Sequence, residues 1–393
     1  MGVSLGLVGL GSFGTQFADL FRSHPLVDRV ALCDREADRI EAIAKRPGFD
    51  KKYDPKDAFT NLDDLLRTDV DAVVVITQPW LHPGQAIQAM EAGKHVYSAV
   101  PIVSLPDGHE ILDWCDRLIR TCERTGMRYM LGETTFYRPE TMYCRRRAAE
   151  GAFGRFVHAD AQYAHDVDSP SCNLREVGRA RGTGAAGAEW REKAKTYRER
   201  GIVSGPMHYP THSVAGPVSV MGAHAVRVMG CGVPDDDSFF GGSFGNETAF
   251  FTMSNGATMR IGEWRHIGQP EEEMFRVFGT QGTFRERMWG TNAGFQGLKP
   301  EEMRDALPEE VHRAFEAIHP DKPLFESQVG HGGSHPFLVH EFVSAVAENR
   351  EPAINAWEAV RYMAPGVMAH QSALKGGETM DVPDWGDGPG RKG

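Results

Sequence analysis

Residues 3–14 read VSLGLVGLGSFG, an apolar run that passes directly into three glycines with the spacing Gly9-x-Gly11-x-x-Gly14. This order predicts a buried β-strand, a tight turn and the start of a helix. Gly9 would permit the turn, Gly11 the approach of a ligand to the backbone, and Gly14 the packing of the helix on the strand. The helix N-terminus would then offer free N–H groups to phosphates. The stretch therefore predicts a dinucleotide-binding strand–turn–helix unit.

An acidic residue closes the next predicted strand. Arg29–Asp34 is apolar in its centre and ends in Asp34, 25 residues after Gly9. A carboxylate at this place accepts hydrogen bonds from the ribose hydroxyls and repels a 2′-phosphate, which favours NAD over NADP. Arg35 weakens that preference, because a neighbouring guanidinium could accommodate the phosphate.

The first third of the chain alternates strand patterns with helical patterns. Asp71–Gln78, His95–Val100 and Arg128–Glu133 are further apolar strands, and each is separated from the preceding one by a helical pattern. This βαβ succession predicts a parallel sheet with helices on both faces. We expect residues 1–134 to form a Rossmann domain of the α/β class.

The pattern changes in residues 135–393. Alternation of apolar and polar residues, the signal of an antiparallel sheet with one covered face, marks several segments. These segments are Phe156–Ala164, Glu247–Met253, Thr258–Trp264 and Met274–Gly279, and helical patterns return at 335–349 and 355–375. We expect a second α/β domain on a large, mainly antiparallel sheet. Because an apolar sheet face needs a cover, a homodimer or larger homo-oligomer is also expected.

Composition excludes several classes of function. A formal net charge of −11 over 393 residues opposes binding to nucleic acid or to anionic membranes, which are themselves negative. No apolar run approaches the roughly 20 residues that span a bilayer, and the N-terminus lacks the basic region of a signal peptide.

The six cysteines form no C-x-x-C pair. Free thiols in a reducing, cytoplasmic compartment are expected.

A metal site is considered for one pair of histidines. His208 and His212 have the spacing of two ligands on one helix face. No third ligand lies nearby in the sequence, so no metal is predicted.

Two further motifs extend the cofactor fingerprint. Thr77-x-Pro79-x-x-His82 follows a buried strand, and Gly93-Lys94-His95-Val96 opens the strand that leads to Pro101. Together these motifs resemble those of the Gfo/Idh/MocA oxidoreductases, over almost the whole chain. The resemblance implies an NAD-binding Rossmann domain and a second domain that binds substrate and mediates oligomerisation.

The chain departs from the ordinary dehydrogenases of that family at the residues that handle protons. Those enzymes carry a Glu-Lys-Pro motif and an Asp-x-x-x-His pair, whose lysine and histidine serve the substrate hydroxyl. Here Ala99 and Val100 stand in place of the glutamate and lysine, and His208 stands in place of the aspartate, four residues before the retained His212. The interpretation as a simple sugar dehydrogenase is therefore disfavoured.

A narrower resemblance accounts for these replacements. The segments Tyr163-Ala164-His165-Asp166, Trp190-Arg191 and Tyr209-Pro210-Thr211-His212 look like motifs of the NAD-dependent glycoside hydrolases of this superfamily, first those acting on α-N-acetylgalactosaminides. Glu133 stands in a similar place, and Gly330-His331-Gly332-Gly333 is similar to a glycine-rich loop of those enzymes.

The narrower resemblance implies a mechanism without net redox change. The sugar is oxidised transiently at C3, which acidifies the C2 proton; removal of that proton expels the aglycone from C1, water adds, and the hydride returns. NAD would then be catalytic and tightly bound. The resemblance implies Tyr163 with His165 for C2 deprotonation, His212 with Tyr209 around the C3 hydroxyl, and Glu133 as an orienting group.

The same resemblance, taken with the fingerprint, implies two sets of binding residues. Arg191 and His331 would contact the sugar, and Arg191 would also reach the nicotinamide side. The remaining cofactor contacts are expected from Gly9, Gly11, Ser12, Phe13, Gly14, Asp34, Arg35, Thr77, Gln78, His82, Val100, Pro101 and Trp190.

A basic segment gives a hint about the substrate. Residues 175–200 hold eight arginines and lysines against four glutamates, in a chain that is otherwise acidic. A solvated surface loop is one explanation. The other is that Lys193 and Lys195 face an anionic sugar substituent, which makes a sulfoquinovoside a specific candidate because NAD-dependent sulfoquinovosidases are a branch with this chemistry.

Two rival functions remain open at this point. One is an NAD-linked sugar or polyol dehydrogenase that uses His212 with a different partner. The other is a non-catalytic NAD-binding sensor, which loss of the lysine would also permit.

Overall fold

The structure is a computed structural model that describes residues 2–235, 238–327 and 330–389. Its first part is a six-stranded sheet with the order β3-β2-β1-β4-β5-β6, in which every neighbouring pair is parallel. The strands are β1 Val3–Val8, β2 Val27–Cys33, β3 Ala58–Phe59, β4 Ala72–Val75, β5 His95–Ser98 and β6 Tyr129–Leu131. The predicted Rossmann sheet is therefore confirmed.

Helices connect these strands, as parallel pairing requires. They are α1 Gly14–Ser23, α2 Ala37–Ala44, α3 Leu62–Leu66, α4 His82–Glu91 and α5 Gly108–Thr125. The longest of them, α5, begins where the Asp107 carboxylate accepts hydrogen bonds from two backbone N–H groups and ends at Gly126 in the left-handed conformation. Apolar side chains on both faces of the sheet, such as Leu5, Val30 and Val73, are completely buried.

The second part is built on a nine-stranded sheet, counted over the described residues, with the order β14-β13-β12-β11-β7-β10-β9-β8-β15. Its strands are β7 Phe156–Ala164, β8 Ala225–Pro234, β9 Phe244–Met253, β10 Thr258–Trp264, β11 Glu272–Gly279, β12 Thr283–Arg285, β13 Met288–Thr291, β14 Gly294–Gly297 and β15 Met380–Asp381. Pairing is antiparallel except between β7 and β10, which run parallel. The predicted mainly antiparallel sheet is confirmed.

The second part has nine α-helices in the described residues, some of which pack on its sheet and some on the first domain. They are α6 Pro139–Ala149, α7 Leu174–Arg181, α8 Ala185–Glu199, α9 Thr211–Met221, α10 Pro300–Met303, α11 Glu309–Glu316, α12 Leu324–Ser327, α13 His335–Ala347 and α14 Ala356–Leu374. Between α13 and α14 the chain returns to the Rossmann sheet, where the Ile354 carbonyl accepts a hydrogen bond from the Leu131 N–H.

The basic segment is helical, which corrects its interpretation as an irregular surface loop. Asn173 caps α7 by accepting a hydrogen bond from the Glu176 N–H at 3.0 Å. The sequence Gly182-Thr183-Gly184 then separates α7 from α8. Two helices, and not a loop, therefore carry these basic residues.

The opposite face of the large sheet carries exposed apolar side chains. Val157 on β7, Met229 and Val233 on β8, and Phe250 on β9 are 43–60% exposed. Met229 and Phe250 are direct cross-strand partners. Over the described residues, no helix combines the length and the apolar character needed to cross a bilayer.

Candidate active site

The glycine turn after β1 has the geometry of a phosphate cradle. Gly9 has a φ of +90°, and a Cβ there would lie 2.3 Å from the Ile76 carbonyl oxygen. A Cβ on Gly14 would lie 2.0 Å from the Gly9 carbonyl oxygen. A Cβ on Gly11, by contrast, would meet only an Arg39 nitrogen at 3.9 Å, so the turn is open on that side. The first and third glycines close the turn, and the second leaves room for a ligand.

The turn opens into a cavity of about 960 Å³, large enough for a dinucleotide. Most residues expected to hold the cofactor line it: Gly9, Gly11, Ser12, Phe13, Gly14, Asp34, Arg35, Thr77, Gln78, His82 and Val100. Pro101 instead contacts His82, whose Nδ1 lies 3.0 Å from the Pro101 carbonyl oxygen. Trp190 stacks at 4.8 Å on Trp80, which lines the cavity. These residues fit a bound dinucleotide.

Asp34 is fixed at the ribose end of this cavity. One carboxylate oxygen accepts a hydrogen bond from the Leu10 N–H at 2.7 Å, and the other accepts one from the Glu36 N–H at 3.0 Å. Arg39 lies 3.6 Å away. The neighbouring Arg35 is ion-paired with Glu189 of α8 at 3.1 Å, so its guanidinium is already engaged with the second domain.

The first proton-handling pair joins the two domains. Glu133, two residues after β6, has no solvent exposure, and its Oε1 lies 2.8 Å from Nδ1 of His212 on α9. Burial alone would lower the pKa of His212, but the charges of Glu133 and Glu273 outweigh it and raise the pKa to about 9. Burial would raise the pKa of Glu133, yet His212 lowers it to about 2. The two form an ion pair at neutral pH.

Glu133 contacts Nδ1 of His212, which leaves the second ring nitrogen, Nε2, for another partner. Nε2 of His212 lies 3.5 Å from the hydroxyl of Tyr209, which is too long for a strong hydrogen bond. Burial raises the pKa of Tyr209, so its phenol is neutral. The Glu133–His212 arrangement is that of a carboxylate that fixes one imidazole tautomer and strengthens the other nitrogen as a base.

The second proton-handling pair lies at the end of β7. The hydroxyl of Tyr163 lies 2.7 Å from Nδ1 of His165, and Nε2 of His165 lies 3.0 Å from the Cys172 carbonyl oxygen. A carbonyl can only accept, so Nε2 carries a proton, and in the neutral imidazole Nδ1 accepts the Tyr163 hydroxyl hydrogen. His165 is therefore oriented to take a proton from Tyr163. The Glu271 carboxylate is a second acceptor, 3.4 Å from the same hydroxyl.

A cation that the sequence did not suggest lies beside Tyr163. The Arg265 guanidinium carbon lies 4.4 Å from the centre of the Tyr163 ring, and Arg265 donates a hydrogen bond to the Tyr163 carbonyl oxygen at 2.9 Å. Burial raises the pKa of Tyr163 well above its ordinary value, and the charge of Arg265 opposes that rise. Arg265 is therefore the cation that can favour the phenolate form of Tyr163.

Two buried glutamates lie on either side of Tyr163 in the sheet. Glu263 of β10 and Glu273 of β11 are its direct neighbours in the register. Glu263 receives a 2.6 Å hydrogen bond from Arg265, while burial raises its pKa to about 7. Glu273 accepts hydrogen bonds from Arg138 at 2.5 Å and from the Thr135 hydroxyl at 3.0 Å. Neither glutamate was identified from the sequence.

His331 joins this cluster from the glycine-rich loop. Its ring stacks on that of His212 with centroids 6.0 Å apart, and its Nδ1 lies 3.9 Å from a Glu273 carboxylate oxygen. The residue has a φ of +50°, in the left-handed region, and is followed by two glycines that also have positive φ. The loop thus places His331 against the first proton-handling pair.

Other predicted substrate residues lie elsewhere. Arg191 is exposed and donates to the Gly182 carbonyl oxygen. Lys193 is bound to Glu110 at 2.6 Å, and Lys195 lies 3.8 Å from Glu199. Arg181, at the end of α7, is the basic residue of this segment that lines the cavity, and its exposed side chain forms no hydrogen bond or ion pair with any residue that the structure describes.

His208 and His212 do not share a helix. His208 ends a short turn at Pro206–His208, whereas His212 lies in α9 beyond Pro210. The His208 ring packs at 4.5 Å against His370, and its Nδ1 lies 3.2 Å from the Leu105 carbonyl oxygen. Within the described ranges, no three His, Cys, Asp or Glu side chains are grouped as metal ligands would be.

Comparison with known proteins agrees with this geometry. Residues 3–133 match the GFO_IDH_MocA model, described as an oxidoreductase family with an NAD-binding Rossmann fold. Residues 243–390 match the C-terminal domain of glycosyl hydrolase 109. Among solved structures, levoglucosan dehydrogenase in complex with NADH and levoglucosan superimposes with a TM-score of 0.72 and 18% identity, covering 98% of this chain and 100% of that one.

Curated relatives carry glycosidase names. The alpha-N-acetylgalactosaminidase of Tannerella forsythia is 24% identical over 91% of this chain and 80% of its own length. A glycosyl hydrolase family 109 protein of Solibacter usitatus is 26% identical over 98% of this chain and 88% of its own length.

Fold and cofactor cradle together define a protein of the Gfo/Idh/MocA oxidoreductase-fold class. Within that class, the second domain of this chain matches the C-terminal domain of glycosyl hydrolase family 109.

Proposed function

We propose that this protein cleaves a glycoside by transient oxidation at C3, elimination across C1–C2, addition of water and re-reduction. The observation that carries the proposal is the proximity of two separate proton-handling pairs. The rings of Tyr163 and His212 are 5.2 Å apart, each with its own buried partner. Oxidation of an alcohol needs one such pair, whereas oxidation combined with removal of a neighbouring C–H proton needs two.

The cofactor is proposed to remain bound through the cycle. A bound NAD supplies a hydride acceptor and returns the hydride, so release between steps would be unproductive. Glu189, Trp190 and Lys193 of α8 contact Arg35, Trp80 and Glu110 of the first domain. These contacts between the domains support the proposal that α8 helps to retain the bound dinucleotide.

His212 is proposed to accept the proton of the C3 hydroxyl at Nε2. Glu133 holds Nδ1 and stabilises the imidazolium that results. That imidazolium then donates its hydrogen to the C3 oxygen while negative charge gathers there. Tyr209 is the neutral hydroxyl that orients the same oxygen.

Tyr163 is proposed to remove the C2 proton after passing its own hydroxyl proton to Nδ1 of His165. Arg265 stabilises the phenolate, and the Cys172 carbonyl holds the His165 ring in place. The C2 proton is acidic only while C3 is a carbonyl, so the order of steps follows from the chemistry.

A neutral N-acetylhexosaminide is the first candidate substrate, supported by the name of the Tannerella forsythia relative. A glycoside with an anionic substituent, such as a sulfoquinovoside, is the second. Arg181 favours the second, since it lines the cavity and has no partner within the described residues. Lys193 and Lys195 remain candidates for the same role, although carboxylates face both of them.

One assay separates the glycosidase from the two rival functions. Purified protein is incubated with aryl glycosides of both anomers without added NAD. Release of the aryl alcohol with no net NADH supports the proposal. Formation of NADH in proportion to the sugar consumed would identify a dehydrogenase, a function that solved structures of the same fold also have. Bound NAD with neither product would identify a sensor.

Two further expectations are proposals of the same kind. The exposed apolar side chains of β8 and β9 support a homo-oligomer formed through the open face of the large sheet. Sedimentation velocity tests this, and a monomer at micromolar concentration contradicts it.

The four cysteines buried as free thiols support a reducing, cytoplasmic location. Localisation of a tagged chain tests that proposal, and detection of the chain outside the cytoplasm contradicts it.

A further inference from the structure

A second cavity, of about 750 Å³, lies behind the catalytic turn and is separate from the cofactor cavity. Arginines from three parts of the chain line it: Arg128 just before β6, Arg145 on α6, and Arg350 after α13. Its volume falls in the range of small-molecule sites.

Arg145 is the unusual member of this set. Its guanidinium stacks 3.7 Å from the centre of the Phe136 ring, and its Nε is shielded from solvent without a hydrogen-bond partner. The Arg145 side chain forms no hydrogen bond or ion pair with any described residue, and burial lowers its pKa. Enclosed charges are normally paired, because removing them from water is costly.

The nearby carboxylates are engaged with other arginines. Glu341 holds Arg350 through two hydrogen bonds of 2.7 and 3.0 Å, and Asp305 is paired with Arg146. Of the acids that line the cavity, Glu351 lies 3.7 Å from Arg128, and Glu358 lies 3.6 Å from Arg361. Asp305 and Glu341 favour the charged form of Arg145 from a distance, but no described carboxylate forms a direct ion pair with it.

We propose that this cavity binds a small oxyanion, a phosphate or a carboxylate, on the guanidinium of Arg145. A guanidinium fork matches both groups, which offer two coplanar oxygens. The stacked Phe136 ring fixes the plane of the fork and leaves its outer edge for the ligand.

The position of the site makes the ligand an effector of catalysis. Phe136 belongs to the short turn Thr134–Tyr137 that follows Glu133 directly. On the other side of this turn, the Thr135 N–H donates to Glu133 at 2.8 Å and the Thr135 hydroxyl donates to Glu273. An anion on Arg145 therefore stabilises the turn that holds Glu133.

Thermal unfolding of the NAD-loaded protein tests the site, because bound NAD fills the other phosphate cradle. Inorganic phosphate, malonate and a sugar phosphate are titrated separately against sodium chloride of equal ionic strength. We expect a saturable rise in Tm of roughly 3 °C with at least one of them, and the strongest ligand identifies the class. No saturable rise with any of the three in the wild type overturns the proposal.

Substitutions test whether the rise in Tm comes from an anion bound at Arg145. In R145M the rise is expected to vanish, and in R145K it is expected to weaken, because the ammonium keeps the charge but loses the fork. The matched control R155M removes an exposed arginine outside the cavity and should leave the response intact. A rise in Tm in R145M as large as in the wild type would show that the anion binds elsewhere, and it would contradict the proposed site at Arg145. If R145M does not fold, the titration of R145K tests the site instead. A rise in Tm equal to that of the wild type would then contradict binding through the guanidinium fork of Arg145.

Discussion

Nδ1 of His212 lies 2.8 Å from Oε1 of Glu133, so a histidine of the second domain is held by a carboxylate of the first. His208, which stands where related dehydrogenases have an aspartate, is turned toward His370 and contributes nothing to this pair. Glu133 provides the carboxylate instead. The site is therefore complete only when both domains are docked.

Replacing Glu133 by Gln should change the pH dependence of activity. The base form of His212 is neutral, so in the wild type kcat/KM should rise as pH increases through about 9. Without the Glu133 charge the pKa of His212 falls, and the rising limb should move toward its ordinary value near 6.5. Maximal activity should fall roughly 10²–10⁴-fold. If the rising limb of kcat/KM against pH is at the same pH in E133Q as in the wild type, His212 is not the titrating base.

Replacing Tyr163 by Phe should separate oxidation from elimination. The Glu133–His212 pair is untouched, so mixing Y163F with substrate should still produce a burst of absorbance from reduced cofactor. Aglycone release should fall roughly 10²–10⁴-fold, since the C2 proton has no acceptor. Single-turnover absorbance and aglycone assays measure the two steps. Loss of both in a folded Y163F protein would contradict separate roles, and Tyr209→Phe is the matched comparison.

Replacing Arg265 by Met should weaken the Tyr163 base. Burial already raises the pKa of Tyr163, and without the Arg265 charge that rise is unopposed. We expect kcat to fall roughly 10–10³-fold with little change in KM, and R265K to recover part of the loss. Because R265M leaves the buried Glu263 carboxylate without its arginine, R265M/E263Q serves as the control for folding. Equal activity of R265K and R265M would show that charge is not what matters.

Replacing Arg181 by Gln tests whether the substrate is anionic. An unpaired guanidinium at the cavity should bind an acidic substituent through charge-assisted hydrogen bonds of about 1.5–3 kcal/mol. KM for an anionic glycoside should then rise roughly 10–150-fold, and KM for its neutral analogue should change little. R179Q on the same helix is the control, because Arg179 is exposed and does not line the cavity. Equal effects on both substrates would remove Arg181 from this role.

Lys193 and Lys195 are tested in the same way. Each lies near a glutamate, Glu110 and Glu199 respectively. For this reason we expect K193M and K195M to change the ratio of the two KM values less than R181Q does. A larger effect from either lysine would restore the original prediction for the segment.

Much of the fold and part of the site could be predicted from local patterns. The strands Phe156–Ala164 and Thr258–Trp264 appear at the predicted residues, because a period of two is a property of neighbouring positions. The glycine turn and Asp34 lie together at the cavity for the same reason, since their spacing is set within one βαβ unit.

What the sequence did not reveal depends on pairing between distant strands. Glu263 and Glu273 flank Tyr163 only because β10 runs parallel and β11 antiparallel to β7. No local pattern encodes that register, so the sequence alone does not indicate that Arg265, which follows β10, lies beside Tyr163. Arg191, Lys193 and Arg181 share one basic segment, and only the orientation of α7 and α8 decides which of them meets the cavity.

Solvent deuterium at C2 is the most direct test of the central claim, that Tyr163 removes a C2 proton during glycoside cleavage. The NAD-loaded protein is incubated in D₂O with an aryl glycoside that it cleaves, and the released sugar is analysed at early times by NMR and mass spectrometry. The account predicts deuterium at C2 of the released sugar, with no net NADH and no deuterium at C3. A released sugar that keeps protium at C2 would mean that the bond is broken without elimination, and it would contradict the account.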